Sequence, residues 1–382
     1  MPTRRAFLSF TAAGAGALLV APHMVFASVQ SERRFVFIIQ RGAADGLHIV
    51  VPYADPAYAS LRGPIALDSS NVTRLDGTFG LHASLQHTAQ LYAQKQALFV
   101  HAVATPYRDR SHFDGQNVLE TGGNAPYSVH DGWLNRLVAL VGPSRAEAIA
   151  FAPTVPAALR GKIDVASYAP SALPSASDDL LLRVGSLYEH DAQLGPLWRS
   201  AMAARDMAGG VRGRGDAASL GKLAASFLAK PDGPRIAMIE TGGWDTHTGQ
   251  SARLAAQLKA LDAMLGALHE GLGPIWAQTT VVVATEFGRT AAVNGTGGTD
   301  HGTGTAAMLA GGAVRGGRVL ADWPGLRASD LYEGRDLRPT ISLDAVISGA
   351  ASETFGLDPH RTFATLFPQT KEVKPATGLV GV

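Results

Sequence analysis

Nine side chains in this sequence could together bind a cation or move a proton, and they lie far apart in the chain. They are Asp45, the pair Ser111–His112, Asp245 with His247, Glu286 with Arg289, and Asp300–His301. Carboxylates and imidazoles offer oxygen and nitrogen donors, and the chain has no cysteine. Any metal here is therefore held by His, Asp, Glu or hydroxyl ligands. Zinc accepts His and Asp, whereas calcium, magnesium and manganese prefer oxygen-rich sets. Brought together without a cation, so many carboxylates would repel one another and raise their own pKa values. Each piece also has a plainer reading. Ser111 is a favoured helix N-cap, His247 suits a turn hydrogen bond, and Glu286 can pair with Arg289.

What unites these residues is their place in the pattern of elements. Continuous apolar runs predict strands over Arg34–Gln40, Ala97–Val103, Arg235–Glu240 and Thr279–Val283, with a shorter one over Ala148–Ala152. Asp45, Ser111, Asp245 and Glu286 each fall just beyond one of them. Asp300 and His301 end a Gly-rich loop that leads into a further apolar run, Ala306–Ala310. Helices are expected from Ser84 to Gln94, from Ser111 through Glu120, and from Ser251 to Leu272. The last carries Leu254, Leu258, Leu261, Leu265 and Leu268 at spacings of three and four. Such alternation predicts an α/β fold with a central, mostly parallel sheet and helices on both faces. In that architecture ligand groups gather at the carboxyl ends of the strands.

The 382 residues are 46% hydrophobic and 17% charged, which suits a globular chain with a large core. A formal net charge of +1 with no basic stripe argues against a nucleic-acid partner. At the N-terminus, Thr3-Arg4-Arg5-Ala6-Phe7-Leu8 is a twin-arginine export motif, and Val25-Phe26-Ala27 offers a cleavage site. Residues 1–27 are thus expected to be a signal peptide read by the twin-arginine machinery, giving a periplasmic protein. The stretch Ala12–Ala21 is too short and Gly-rich for a stable membrane anchor. Residues 28–382 are expected to form one domain. Within it, residues 153–230, rich in Pro and then Ala, are expected to be a peripheral helical insertion with a flexible Gly209–Gly215 loop. Nothing in the sequence sets an oligomeric state.

Five motifs occur together in one order: Arg41-Gly42-Ala43-Ala44-Asp45-Gly46-Leu47, Ser111-His112-Phe113, Gly243-Trp244-Asp245-Thr246-His247, Glu286-Phe287-Gly288-Arg289 and Asp300-His301-Gly302. The set resembles a bacterial family of twin-arginine-exported, sulfatase-like proteins of unknown function, itself similar to the alkaline phosphatase superfamily. The resemblance covers nearly the whole mature chain and implies an alkaline-phosphatase-like three-layer sandwich. It implies divalent metals beside a nucleophile, which would be Ser111 at a helix N-terminus. Asp45, Asp245, His247, Glu286 and His301 would be ligands, with Asp300 or His112 as substitutes. Arg289 or Arg110 would hold the remaining oxygens of a small anionic ester. Two departures stand out. Phe287 occupies a position where the superfamily commonly has His, and the step from Asp245 to His247 is shorter than usual.

The implied activity is metal-dependent hydrolysis of phosphate or sulfate esters, with zinc the first expectation for the ion. The alternative is a non-catalytic exported binding or assembly protein that keeps a partly degenerate site. A Ser/His/Asp acyl hydrolase is a weaker third, because the chain has no Gly-x-Ser-x-Gly elbow.

Overall fold

The computed structural model describes residues 32–142, 148–169, 178–188, 191–207, 216–371 and 373–381. The twin-arginine motif and the Gly209–Gly215 loop lie outside them. Twelve strands run in chain order: β1 (Arg34–Gln40), β2 (Val50–Val51), β3 (Val72–Arg74), β4 (Gly80–His82), β5 (Ala97–Ala104), β6 (Ala148–Phe151), β7 (Ala166–Ser167), β8 (Ile236–Thr241), β9 (Thr279–Ala284), β10 (Thr305–Ala310), β11 (Arg318–Leu320) and β12 (Ile341–Ser342). Nine form the central sheet in the order β11-β5-β10-β9-β1-β8-β6-β7, with β12 paired to β5. A small second sheet joins β2, β4 and β3.

Within the central sheet β10 alone runs against its neighbours, antiparallel to β5 and β9. The other pairings are parallel. The strands β1, β5 and β9 are buried along their whole length, as expected for a sheet covered on both faces.

Alternation along β1 shows the two covers. Phe35, Phe37 and Ile39 pack with the helices Trp133–Val141, Leu343–Phe355 and Pro359–Leu366. Val36 and Ile38 pack into the opposite layer, formed by the helices Ala217–Leu228 and Gln250–Leu272. The fold is therefore α/β in three layers, with a mixed but mostly parallel sheet at the centre. All five leucines of the expected helical stripe in Gln250–Leu272 are buried.

One expectation is corrected. The stretch 153–230 is not peripheral throughout, because Leu223, Ala224, Ala225, Phe227 and Leu228 belong to the core. Small residues bring this helix close to its neighbour: a Cβ on Gly221 would lie 2.2 Å from the Met264 carbonyl oxygen. Among the described residues no helix is long and apolar enough to cross a membrane.

Two buried histidines sit beside the small sheet. His101 of β5 stacks on Phe79 at 5.2 Å and meets Trp323 edge-on at 5.0 Å. His48 lies in the short helix Gly46–Ile49 and is completely buried. Burial disfavours the charged imidazole and lowers each pKa to about 4, from an ordinary 6.5. A depressed pKa means that the unfolded chain binds more protons between pH 4 and 6.5, so stability falls as pH drops through that window. Each histidine contributes on the order of 3 kcal/mol to that loss. Asp344 acts in the opposite sense. Burial pushes it up to about 6, so its contribution is present at low pH and fades as pH rises. Two groups outweigh one. Chemical denaturation from pH 7 down to 4.5 should therefore show falling stability, with a shallower fall in His101→Gln. Stability unchanged over that range contradicts the assignment.

Candidate metal centre

The ends of β1, β5, β8 and β9 and the start of β10 share one edge of the sheet, so the five motifs meet there. Gly42 makes the closest approach possible. Its φ is +119°, and a Cβ on it would lie 2.6 Å from the Asp245 backbone nitrogen. The loop after β9 folds back on the segment that enters β10. Gly288 N donates to Thr303 O, Gly302 N donates to Gly288 O, and Arg289 bridges His301.

Three imidazoles converge on Asp245. His112 Nε2 is 3.6 Å from Asp245 Oδ2. His247 Nε2 is 3.1 Å and His301 Nε2 is 3.5 Å from Asp245 Oδ1. His247 Nε2 and His301 Nε2 are 3.0 Å apart. The ligand atoms of His112, Asp245 and His301 all lie within 4.8 Å of one another, which makes them a candidate metal site.

The opposite nitrogen of each ring decides its tautomer. His112 Nδ1 is 2.8 Å from Glu286 Oε1, His247 Nδ1 is 3.0 Å from Asp300 Oδ1, and His301 Nδ1 is 2.9 Å from the Arg110 carbonyl oxygen. Carboxylates and carbonyls only accept, so each Nδ1 donates, and in a neutral ring that leaves the Nε2 lone pair facing the others. Two such lone pairs 3.0 Å apart repel unless a cation or a proton lies between them. His112 Nε2 is buried with no hydrogen-bond partner. Imidazoles oriented by acceptors on their far nitrogens are the usual arrangement of metal-binding histidines. The donor set, three imidazole nitrogens and one carboxylate without sulfur, fits zinc.

Glu286 is completely buried. Besides His112 it accepts from Gly42 N at 2.8 Å, Gln116 Nε2 at 3.0 Å and Thr285 Oγ1 at 2.9 Å. Burial alone would raise its carboxyl, but these hydrogen bonds, led by His112, hold it below the ordinary value. The same contact raises the pKa of His112. Burial lowers that of His301, assisted by His112 and Arg289. Glu286 thus faces His112 rather than the cluster, and Asp300 likewise supports His247.

Asp45, expected as a ligand, is placed elsewhere. Fully buried Arg62 donates to both of its oxygens, at 2.6 and 2.8 Å. Gln250 Nε2 at 2.7 Å and Leu47 N at 3.1 Å complete its shell, leaving no lone pair for an ion. Burial opposes its charge, and Arg62 overcomes that and holds the carboxyl below the usual range. Arg289, expected to hold an ester's oxygens, is buried and held internally. Nη1 bonds Asp245 Oδ1 at 2.6 Å, Nε bonds Thr299 Oγ1 at 3.2 Å, and Nη2 bonds the Thr299 carbonyl. Arg110 is engaged by Asp336 at 2.9 Å and Glu333 at 2.5 Å.

Ser111 precedes the helix His112–Thr121, but its side chain makes no cap hydrogen bond. Its amide donates to the Tyr107 phenol at 3.0 Å, and its hydroxyl interacts with the same group. Phe287 is buried. It stacks on His112 at 5.1 Å and leans on His301 at 5.4 Å, so it is a wall behind two of the imidazoles. A side chain at Gly115 would strike it at 2.9 Å.

Sequence reasoning missed Arg62 and Gln116, and with them three further contributors. The Arg110 carbonyl is turned to His301 by a backbone with φ +62°, and Gln250 and Thr299 sit between Asp45 and Arg289. A carbonyl has no sequence signal, and neither Gln250 nor Thr299 belongs to a post-strand motif.

Residues 32–366 match one family along nearly the whole described chain, all five motifs included. The chain belongs to the family described as "Protein of unknown function (DUF1501)". Among curated proteins none is significantly similar to it. Solved structures to which it is similar include the zinc complex of the C-terminal periplasmic domain of EcEptC from Escherichia coli, at 9% identity over 74% of each chain and a TM-score of 0.39. The alkaline phosphatase of the Antarctic bacterium TAB5 is similar at 10% identity over 88% of this chain and 99% of that one, with a TM-score of 0.38. A 2-O GAG sulfatase, BT1596, is similar at 9% identity over 90% and 76% of the two chains, with a TM-score of 0.40. At such identities none of them transfers a residue's role to this member of DUF1501.

Two substitutions test these assignments. Glu286→Gln removes the charge that orients His112, and zinc affinity measured by chelator competition should fall by roughly ten- to a hundred-fold. Arg62→Met leaves Asp45 buried without its cation. Denaturant unfolding should then show a loss of about 3–5 kcal/mol, and wild-type stability would contradict the buried pair.

Proposed function

We propose that this protein is an exported, metal-dependent hydrolase of phosphate or sulfate esters that uses a single divalent ion, with zinc the best fit. His112, Asp245, His247 and His301 would hold the ion. The observation that carries this reading is the convergence of three Nε2 atoms on one carboxylate, each ring oriented by an acceptor at Nδ1. When bound, the ion would supply a Lewis acid for an ester oxygen. A second ion is not part of the reading, because four donors fill the oxygens of Asp45 and Glu286 Oε1 is taken by Gly42, His112 and Gln116.

Ser111 acts as the nucleophile in this reading. Its hydroxyl is not used as a cap, and the N-terminus of a ten-residue helix is a place where an anion is favourably received. Tyr107 holds the residue in place through its amide. Arg289 fixes Asp245 instead of gripping substrate. The twin-arginine motif supports export by that machinery to the periplasm, with a small anionic ester as the substrate.

A second reading has its own observation. Arg289 and Arg110, the arginines expected to grip an ester, are committed to protein groups, which favours an exported metal-binding protein without hydrolytic activity.

Metal content of the natively folded protein and a screen of chromogenic phosphate and sulfate esters separate the two. The expected result is about one divalent ion per chain and turnover that is lost on chelation. His301→Ala should lose ion and turnover, whereas Ser111→Ala should keep the ion and lose turnover. Protein without any bound ion sinks both readings. An ion with no turnover of any ester leaves the binding protein, and turnover indifferent to Ser111→Ala removes only the nucleophile.

A further inference from the structure

A continuous line of buried hydrogen bonds runs from the Asp45–Arg62 pair to the exposed side of the cluster. Gln250 Nε2 donates to Asp45 Oδ2 at 2.7 Å. A salt-bridged carboxylate only accepts, so it dictates which way the Gln250 amide faces. Oε1 is then left to accept, and it does so from Thr299 Oγ1 at 2.6 Å and Thr246 Oγ1 at 3.0 Å. The Thr299 proton is thereby directed at Gln250, and an oxygen lone pair is presented to Arg289 Nε at 3.2 Å. The Thr299 carbonyl takes Arg289 Nη2. With two of its donor nitrogens held by one residue, Arg289 has Nη1 left for Asp245 Oδ1, at 2.6 Å. Asp245 Oδ2 is turned to the unpartnered His112 Nε2. Gln250, Thr299 and Thr246 are completely buried and Arg289 almost so.

We propose that Thr299 and Gln250 are positioning residues of the metal centre: they fix the direction of Arg289, and through it the carboxylate of Asp245, by a hydrogen-bond polarity set at the Asp45–Arg62 pair. Asp45 serves the centre from a distance in this scheme, as an orienting charge. The inference rests on the metal reading above and is independent of which reaction, if any, the centre performs.

The test uses the full chain and zinc alone as the probe. Zinc affinity is measured by competition with a chromophoric chelator, and the thermal midpoint of the zinc-free protein reports stability. Thr299→Val keeps the shape and removes the hydroxyl. It should weaken zinc binding by roughly ten-fold or more. Thr299→Ser restores the hydroxyl and should bind within about two- to three-fold of wild type. Thr88→Val, in the helix Gln86–Ala93, removes a buried hydroxyl that donates to Asp262 Oδ1 at 2.7 Å, outside this line. It should lower the midpoint comparably while leaving zinc affinity unchanged, a split that a merely structural role would not give. If Thr299→Val does not fold, Gln250→Met replaces it with the same expectation. Equal zinc affinity in Thr299→Val and wild type, or equal loss in the Val and Ser variants, overturns the proposal. A wild-type protein that binds no zinc overturns it together with the metal reading. Tight zinc binding without ester turnover removes the hydrolase and leaves the positioning role standing.

Discussion

Each imidazole of the cluster is oriented by an acceptor at Nδ1: Glu286 for His112, Asp300 for His247, and the Arg110 carbonyl for His301. That constraint aims the Nε2 atoms of three histidines at one carboxylate. Its supports reach deep into the fold. Glu286 is itself held by the end of β1 and by the helix that carries His112. The Arg110 carbonyl is presented by a backbone in the left-handed region, a conformation that costs energy in a non-glycine residue and persists only where the surroundings enforce it. Arg110 is enforced through Asp336 and Glu333.

Buried charge is distributed to the same end. Two guanidiniums, Arg62 and Arg289, are sealed inside the carboxyl edge, each against an aspartate. The partners differ in exposure. Asp45 is fully buried and saturated, whereas the Asp245 side chain is 43% exposed and keeps Oδ2 clear of Arg289. A saturated carboxylate cannot take a metal, and a half-open one beside three lone pairs can. The difference follows from the number of donors around each oxygen, so two aspartates in equivalent post-strand positions come to different uses.

The strands, the leucine stripe of Gln250–Leu272 and the edge on which the motifs meet were legible in the sequence, because apolar period and position after a strand are local signals. The partner of each charge was not. Asp45 reads like Asp245 until Arg62 is seen beside it, and Arg62 comes from the short helix Tyr58–Arg62, which carries no pattern. The burial of the helix Ala217–Leu228 is not legible, since an Ala- and Gly-rich sequence does not reveal that its small side chains serve close packing on a neighbour. Glu286 and Asp300 stand at the far nitrogens of His112 and His247. A carboxylate that orients a histidine and one that binds a metal are the same residue type at nearly the same place.

Phe287 shows how far residue type alone can mislead. As a replacement for a ligand it signals a damaged site, and that signal holds if the neighbouring position is left without nitrogen. Here the ring stacks on His112, which arrives from the helix after β5 and presents its own Nε2 to Asp245. An apolar ring behind the imidazoles also keeps water from their flanks, which strengthens the hydrogen bond from His112 to Glu286. Gly115 is required beneath it, because any side chain there would meet the ring. Phe287, Gly115 and His112 therefore act as one packing unit.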